Sequence, residues 1–503
     1  MATLAAVDIG ANSVRLKIAR VVRKRLQVLH EDREVVRLGE SVFRTGSLDP
    51  AAMEQTVRVL RRFQKAAQAH DATQVRVVGT SALRDANNGS AFVHWVHAAI
   101  GWHVDVVSGV EEGRLIHLGV TANTRIGGRL LLIDLGGGSC ELIVSHKGQI
   151  ERVYSLPLGA VRLTDQFLQH DPPTETELEQ MRSYVSEEVG LIRRELTAHK
   201  IGLTVATSGT PAALSELWAA SQPGAVSVVP RAGLLRLTKK LSALNVEQRR
   251  ALEGIGPRRA EIIIAGAHVF SELLTELQLT SFRYLPFGLR DGILAQMAAD
   301  TEDIGLSKQL ENERRNSIFS LATHYAVDLR FSSRVADHAG RLFKLLAPMH
   351  RLPREYGSLL HAAATLHEVG SFISRAGRRR HAHYILGHSE LLGFSLPQRR
   401  LIAATARFVG KSKITPASQV VRLLAPADRP LLPRIVVLLR LARAIEQGRR
   451  GAVLSVRAKV EPRNVRLTLV TRPTGAELEL WALERERAYF LEVFGRELTS
   501  VEV

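Results

Sequence analysis

The acids, serines and glycines best suited to chemistry sit in two stretches of the chain that resemble each other. VDIGANSVRLKI at residues 7–18 and IDLGGGSCELIV at 133–144 align Asp8 with Asp134, Gly10 with Gly136, Ser13 with Ser139 and Leu16 with Leu142. Each begins as an apolar strand ending in a carboxylate and then turns on glycine, through Gly10, Asn12 and Ser13 in one copy and Gly136, Gly137, Gly138 and Ser139 in the other. Backbone N–H groups and a serine hydroxyl would then face one concavity, the composition of a phosphate cradle with a metal-binding acid beside it. Asp and Gly are also ordinary residues of tight turns, so either copy alone would decide little. Matched, the pair points to a duplicated supersecondary unit.

Three further segments carry candidate groups. SGVEEGRLI at 108–116 opens a predicted helix with two glutamates. Ser108 and Glu111 have capping-box spacing, which accounts for Glu111 structurally. Glu112 either follows the general preference for acids in a first helical turn or acts as general base for an attacking water. VVGTSALRDANN at 77–88 ends a strand and starts a helix with Arg84 one turn in, either a bidentate phosphate clamp or a surface arginine paired with Asp85. ATSGTPAALSEL at 206–217 follows a predicted strand, and its Ser208, Gly209 and Thr210 would offer N–H groups and a positive helix end to an anion. Such joints use Ser, Gly and Thr often, so this third turn gains weight only from the other two.

Later in the chain, His338 is followed by His367 and Glu368 in LHEVG and then by His388. The 29-residue spacing and the adjacent His–acid pair resemble metal-dependent HD phosphohydrolases. Those enzymes carry aspartate after the second histidine and another further on, where this chain has Glu368 and Arg443. A guanidinium in place of a ligand argues against bound metal. A helical domain that kept the shape without the chemistry is the expectation.

Patterning shows the elements that must position these groups. Apolar runs at 3–8, 13–21 and 26–30 read as a strand meander, 50–69 has helical spacing, and 75–84 reads as strand, turn and helix. From about 126 to 300 the pattern repeats, with strands near 129–134, 140–145, 150–155 and 201–206 and a helix near 174–196. Two similar α/β halves should leave a cleft faced by both glycine turns, a usual place for a small ligand. Beyond about residue 305 strand signals stop and 311–448 reads as helical; alternation then returns, with strands on either side of Asn464 and a final helix near 481–494. The expected domains are 1–125, 126–304, 305–450 and 451–503.

Of the net charge of +18, residues 305–450 hold +16, from 25 Lys and Arg against 9 Asp and Glu. Such a field attracts polyanions in a salt-dependent way, though charge alone does not separate a polymer site from a solubilising face. GRRRH at 377–381 makes Arg378, Arg379 and Arg380 the candidate polymer contacts. The single cysteine, Cys140, excludes an internal disulfide and fits a reducing cytosol. The apolar first residues lack a signal peptide's basic start and cleavage site, and no apolar run nears the roughly 20 residues that span a bilayer. A soluble, cytoplasmic protein without a membrane partner is expected.

Together these motifs resemble the exopolyphosphatase and guanosine pentaphosphate phosphohydrolase family of the actin, hexokinase and Hsp70 superfamily, in its long form with an HD-like helical domain. The likeness covers essentially the whole chain, through DIGANS at 8–13, GTSALRDANN at 79–88, SGVEEGRLI at 108–116, DLGGGSCE at 134–141, ATSGT at 206–210, GLRDGIL at 288–294, and LHEVG with RHAHYILGHSELLGFS later on. It implies an α/β fold of two actin-like (ribonuclease H-like) domains followed by an all-α HD-like domain and a small α+β domain. It gives Glu112 the role of catalytic base and makes Asp134 and Glu141, with Asp8, the acids that hold magnesium and the attacking water. It also implies phosphate contacts from Gly10, Asn12, Ser13, Arg84, Gly136, Gly137, Gly138, Ser139, Ser208, Gly209 and Thr210. Potassium is a candidate second ion, and a homodimer is implied. Ala11 stands where relatives carry Ser or Thr, and Cys140 where they carry Thr. Neither touches the base or the metal acids, so altered affinity rather than lost activity is expected.

The expected activity is processive, magnesium-dependent removal of terminal phosphate from inorganic polyphosphate, with the basic helical segment holding the polymer. One alternative is hydrolysis of guanosine pentaphosphate at the same site, for which the sequence shows no base-reading motif. The others are a noncatalytic sensor of polyphosphate or an alarmone, and an ATP-driven kinase or chaperone of the same superfamily, which Glu112 and the helical extension disfavour. No specific nucleic-acid partner is expected.

Overall fold

The duplication seen in the two glycine turns is built into the backbone of the computed structural model, which describes residues 2–23, 25–221, 228–257, 259–301, 307–410, 412–473 and 475–503. In the first copy β1 (Thr3–Ile9), β2 (Ser13–Val22) and β3 (Arg25–Val35) form an antiparallel meander, and β4 (Gln74–Gly79) and β5 (Val104–Val106) extend the sheet in parallel from β1. In the second copy β6 (Arg129–Leu135), β7 (Cys140–His146) and β8 (Gln149–Leu156) form the meander, β9 (Leu203–Thr207) pairs in parallel with β6, and β10 (Val228–Pro230) and β11 (Ser281–Tyr284) complete the sheet. The orders β3-β2-β1-β4-β5 and β8-β7-β6-β9-β11-β10 are the same over five strands.

Register repeats as faithfully as order. Asp8 lies opposite Arg15 across β1 and β2, as Asp134 lies opposite Glu141 across β6 and β7. Both turns close on the same bond, from Gly10 N–H to the Ser13 carbonyl at 3.1 Å and from Gly136 N–H to the Ser139 carbonyl at 2.9 Å. Strands β1 and β6 are almost wholly buried, which is why they read as continuous apolar runs rather than alternating ones. The helix Pro50–Ala69 has the bounds its spacing predicts, because Asp49 caps it by accepting the Ala52 N–H and Pro50 fills its first position.

Two helices depart from what chain order suggests. Leu289–Thr301 follows the second sheet, yet its Ile293, Leu294 and Met297 pack with Leu4, Val21 and Val78 of the first. Gly109–Asn123 follows the first sheet, yet its Ile116 and Val120 pack with Leu132 and Ile143 of the second, while its Leu115 joins the former cluster. The helices meet through glycine: a Cβ on Gly292 would lie 1.7 Å from the Leu115 carbonyl oxygen, and one on Gly119 would lie 2.3 Å from that of Gly288. Beside this crossing, fully buried Arg114 donates to both oxygens of Glu111, at 2.8 and 2.9 Å, and to Gln296 Oε1 at 2.6 Å. Glu111 therefore has two structural tasks, since its N–H is also capped by Ser108.

The chain divides into two compact units, Met1–Leu310 and Glu311–Val503, and the boundary falls within the helix Ser307–His324. The second unit is helical through Leu432–Ile445, around a core that includes Leu360, Phe394 and Ile435. β12 (Val453–Val460) and β13 (Asn464–Thr471) form the expected pair of strands. The expected final helix is two helices, Glu477–Glu484 and Arg487–Phe494, and an unanticipated strand, β14 (Glu497–Glu502), pairs in parallel with β13. Its sequence signal is weak because Leu498 is its one buried apolar side chain. Among the described residues no helix is long and apolar enough to cross a membrane.

Gly292→Ala should lower stability by about 2–3 kcal/mol, because backbone rather than a movable side chain blocks the new methyl group. Urea unfolding measures this, and an unchanged midpoint would mean the helices part more easily than their packing indicates.

Candidate active site

Both glycine turns, Glu112 near the start of its helix, and the turn after β9 line one cavity of about 400 Å³ in the first unit. The two turns touch, since a Cβ on Gly137 would lie 3.2 Å from both Ala11 Cβ and Asn12 N. The first turn is fixed by its neighbours: the Asn12 carbonyl accepts the Val36 and Arg37 N–H groups, and the Ala11 carbonyl accepts that of Gly39.

Four carboxylates converge here. Asp8, Glu112 and Asp134 line the cavity, and Glu141 is fully buried behind it. Burial raises all four from their ordinary values; repulsion by neighbouring carboxylates adds to it for Glu112, Asp134 and Glu141, while Arg15 and Arg290 oppose it at Asp8. Glu112 is raised well above its ordinary value, by burial first and then by Glu141, while Glu141 is pushed up to about 7 by burial and then by Asp134. Three donors hold the acids in place: Arg84 Nη1 reaches Glu112 Oε2 at 3.4 Å, Ser155 Oγ donates to Glu141 Oε1 at 2.8 Å, and the Thr207 hydroxyl makes a short bond to Asp134. Asp8 Oδ1 and Glu141 Oε2 are buried without a hydrogen-bond partner among the described residues.

Cations supply the opposite charge. Arg15, Arg33, Arg259 and Arg290 line the same cavity. Arg259 is pushed down to about 10 by burial and by Arg15, and burial and Arg15 lower Arg290 as well. A pocket of glycine amides and crowded guanidinium groups, with a buried carboxylate at its edge, is built to bind phosphate oxygens.

The sequence profile described as the Ppx/GppA phosphatase family matches residues 17–301, and the profile of that family's domain III matches residues 314–487. The chain belongs to the Ppx/GppA phosphatase family. Guanosine-5'-triphosphate,3'-diphosphate pyrophosphatases of Aeromonas hydrophila and Vibrio vulnificus are 28% and 27% identical to it over 401 and 404 residues, covering 80% of this chain and 79% and 80% of theirs. Among solved structures, the Ppx/GppA family member of Aquifex aeolicus is 28% identical with a TM-score of 0.51, and an exopolyphosphatase of Cytophaga hutchinsonii is 24% identical with a TM-score of 0.56. Each alignment covers 60% of this chain and 99% of the other. The actin-like α/β fold and a phosphatase acting on phosphoanhydride bonds follow from family membership.

Several family-implied contacts lie elsewhere than expected. Arg84 does not line the cavity: it donates to the Val107 carbonyl at 2.9 Å and to Glu112, while Asp85 pairs with Arg162. The arginine expected to clamp phosphate is thus the counter-ion of the candidate base. Gly138 also lies off the cavity, where a Cβ would come within 2.4 Å of Ser81 Oγ and 2.5 Å of Phe43 Cζ, so close packing accounts for this glycine. Ser208 lines the cavity with φ of 80° in the left-handed region, but its hydroxyl donates to the Leu135 carbonyl at 2.6 Å. Gly209 makes room for Arg259, whose Nη2 would be 2.0 Å from a Cβ there. Cys140 is fully buried, and burial followed by Glu141 pushes its thiol well up, as suits a packing residue.

None of the four cavity arginines is among the phosphate contacts that the sequence implies. Arg15 had a signal, because the repeat sets it against Glu141; Arg290 stood inside the GLRDGIL motif. Arg33 and Arg259 had none. Among the described residues no three His, Cys, Asp or Glu side chains form a metal site. Magnesium nonetheless commonly takes one or two carboxylates and completes its shell with water and substrate phosphates, and the unpartnered oxygens of Asp8 and Glu141 fit that demand.

In the second unit the HD-like residues do not converge on a ligand. His338 Nε2 is 3.3 Å from Glu446 Oε1, His367 Nδ1 is 2.7 Å from the Ala364 carbonyl, and His388 Nδ1 is 2.8 Å from that of Tyr384. Glu368 pairs with Arg449, and the charge of Arg443 acts on buried His367.

Arg84→Met removes a positive charge that favours the ionised form of Glu112. The acidic limb of kcat/KM for phosphate release should therefore move to higher pH, by about one unit. A limb that stays put would remove this pair from the titration that controls activity.

Proposed function

We propose that this phosphatase hydrolyses the terminal phosphoanhydride bond of inorganic polyphosphate, with Glu112 as general base. The observation that carries the reading is the position of Glu112, a carboxylate that burial raises well above its ordinary range, lining a cavity walled by glycine turns and arginines. The turn amides with Arg15, Arg259 and Arg290 would hold the terminal phosphates. Glu112 would orient water for in-line attack and accept its proton, and Arg84 would keep that carboxylate in place. Magnesium at Asp134 and Glu141, with Asp8, would supply charge neutralisation, with potassium as the candidate second ion.

The preference for a polymer rests on the second unit. Arg375, Arg378, Arg379, Arg380 and Arg407 line a cavity of about 450 Å³ there, and the guanidinium groups of Arg378, Arg379 and Arg380 donate no hydrogen bond to any described residue. Cations held together without counter-ions suit a flexible polyanion. A homodimer belongs to the same reading. A second reading, guanosine pentaphosphate hydrolysis at the same site, is favoured by the activity for which the Aeromonas and Vibrio relatives are named. Phosphate release with magnesium, compared between long polyphosphate and guanosine pentaphosphate at matched chain ends, separates the two.

Glu112→Gln should lower turnover by about 100-fold or more with binding nearly intact, the scale of a positioned base. Near-normal turnover would remove Glu112 from the mechanism. Replacing Arg378, Arg379 and Arg380 together by Ala should raise KM for long polyphosphate more than for tripolyphosphate, and equal effects on the two would sink the polymer surface.

A further inference from the structure

A second cavity of this unit, about 910 Å³, differs in character from the arginine cavity, with which it shares Arg379 and Ser412. It lies between the helix Leu432–Ile445 and the helices Glu477–Glu484 and Arg487–Phe494. One wall is cationic: Arg379, Lys413, Arg434, Arg440, Arg443 and Arg485 line it, against the acids Glu486 and Glu492. Arg440 is committed to Glu486 at 2.6 Å and to the Gly410 carbonyl at 3.1 Å, and Arg434 to the His350 carbonyl at 3.1 Å. The guanidinium groups of Arg379 and Arg443, in contrast, donate no hydrogen bond to a described residue, and burial first and then neighbouring arginines lower the proton affinity of both.

The other wall is apolar and aromatic. Val409, Ile414, Pro430 and Pro433 line it, together with Trp481. Trp481 is 50% exposed, a large fraction for the largest apolar side chain, and Arg485 stacks on its ring at 4.7 Å. Tyr489 lines the same wall under Arg440, 4.4 Å from its ring. A phosphate chain has no use for apolar lining and a half-exposed indole, and an apolar ligand has no use for six cations. A ligand with a flat aromatic part and several phosphates uses both, and the volume lies within the range that accommodates such a molecule.

We propose that this cavity is a second ligand site, distinct from the Glu112 cavity, that takes a nucleoside polyphosphate with its base stacked on Trp481 and its phosphates on Arg379 and Arg443. The assignment holds whichever substrate the Glu112 site hydrolyses. Stacking of a base on an aromatic side chain is worth about 1–3 kcal/mol, so losing it should weaken binding by about tenfold or more.

The test is calorimetric titration of the full chain with ATP and with GTP in the presence of EDTA, with tripolyphosphate as the ligand that has phosphates and no base. Trp481→Ala should weaken nucleotide binding by about tenfold or more and leave both tripolyphosphate binding and magnesium-dependent release of phosphate from tripolyphosphate unchanged. Arg443→Gln should weaken nucleotide binding as well. Because Trp481 is half exposed, its variant folds even if the Arg443 variant does not, and it decides the question alone. Nucleotide affinity equal in wild type and Trp481→Ala would overturn the proposal. So would the absence of nucleotide binding by the wild type, or a tripolyphosphate affinity that falls with Trp481 as much as that of ATP. Failure of Glu112→Gln to affect turnover would instead strike the catalytic reading and leave this binding result standing.

Discussion

Four carboxylates gathered out of water repel one another, and most of the first unit can be understood as the means of holding them there. Burying an ion costs several kcal/mol unless it is paired or neutralised, and Asp8, Glu112, Asp134 and Glu141 add mutual repulsion to that cost. Arg84, Thr207 and Ser155 each fix one acid, but Asp8 Oδ1 and Glu141 Oε2 stay without a partner among the described residues. A site kept in this condition binds what relieves it. A cation would relieve the repulsion among these acids, and the neighbouring arginines carry the charge that phosphate oxygens would meet.

The duplication supplies a symmetric frame, and one substitution breaks the symmetry where it matters. The two hairpins share strand order, register and turn hydrogen bond, so Asp8 and Asp134 occupy equivalent places. Opposite them stand Arg15 in one copy and Glu141 in the other. A frame with the same charge in both copies would make a cavity of one sign. The reversal sets a cation in one copy where the other has an acid, so the frame holds groups of both signs.

Much of this was legible in the residues. Apolar runs ending in an acid, followed by glycine, gave away both hairpins, and helical spacing alone gave the bounds that Asp49 and Pro50 enforce in Pro50–Ala69. The signals that failed did so for physical reasons. A glycine that lets a backbone approach a ligand and a glycine that lets Ser81 and Phe43 approach the backbone are the same letter, so Gly138 looked like part of the cradle. Arg84 and Arg259 illustrate a similar ambiguity, since an arginine's reach hides which partner it chooses. β14 carries too few buried apolar residues for alternation to reveal it. The exchange of helices between the sheets is invisible to any local pattern, because amphipathic spacing says that a face is covered without saying by what.

That exchange bears on how the chain emerges from the ribosome. Val21 and Val78 of the first sheet are covered by Ile293 and Met297, which are made more than 200 residues later. At usual rates of elongation, about 5–20 residues per second, that face of the sheet waits roughly 10–50 s for its cover. During the interval a nascent chain displays strand edges and apolar surface of the kind that aggregates or recruits chaperones. Long-range closure of this sort also slows folding in isolation. The helix carrying Glu112 reaches its final place only when its partner Leu289–Thr301 has been made, so Glu112 is among the last groups of the first unit to be set.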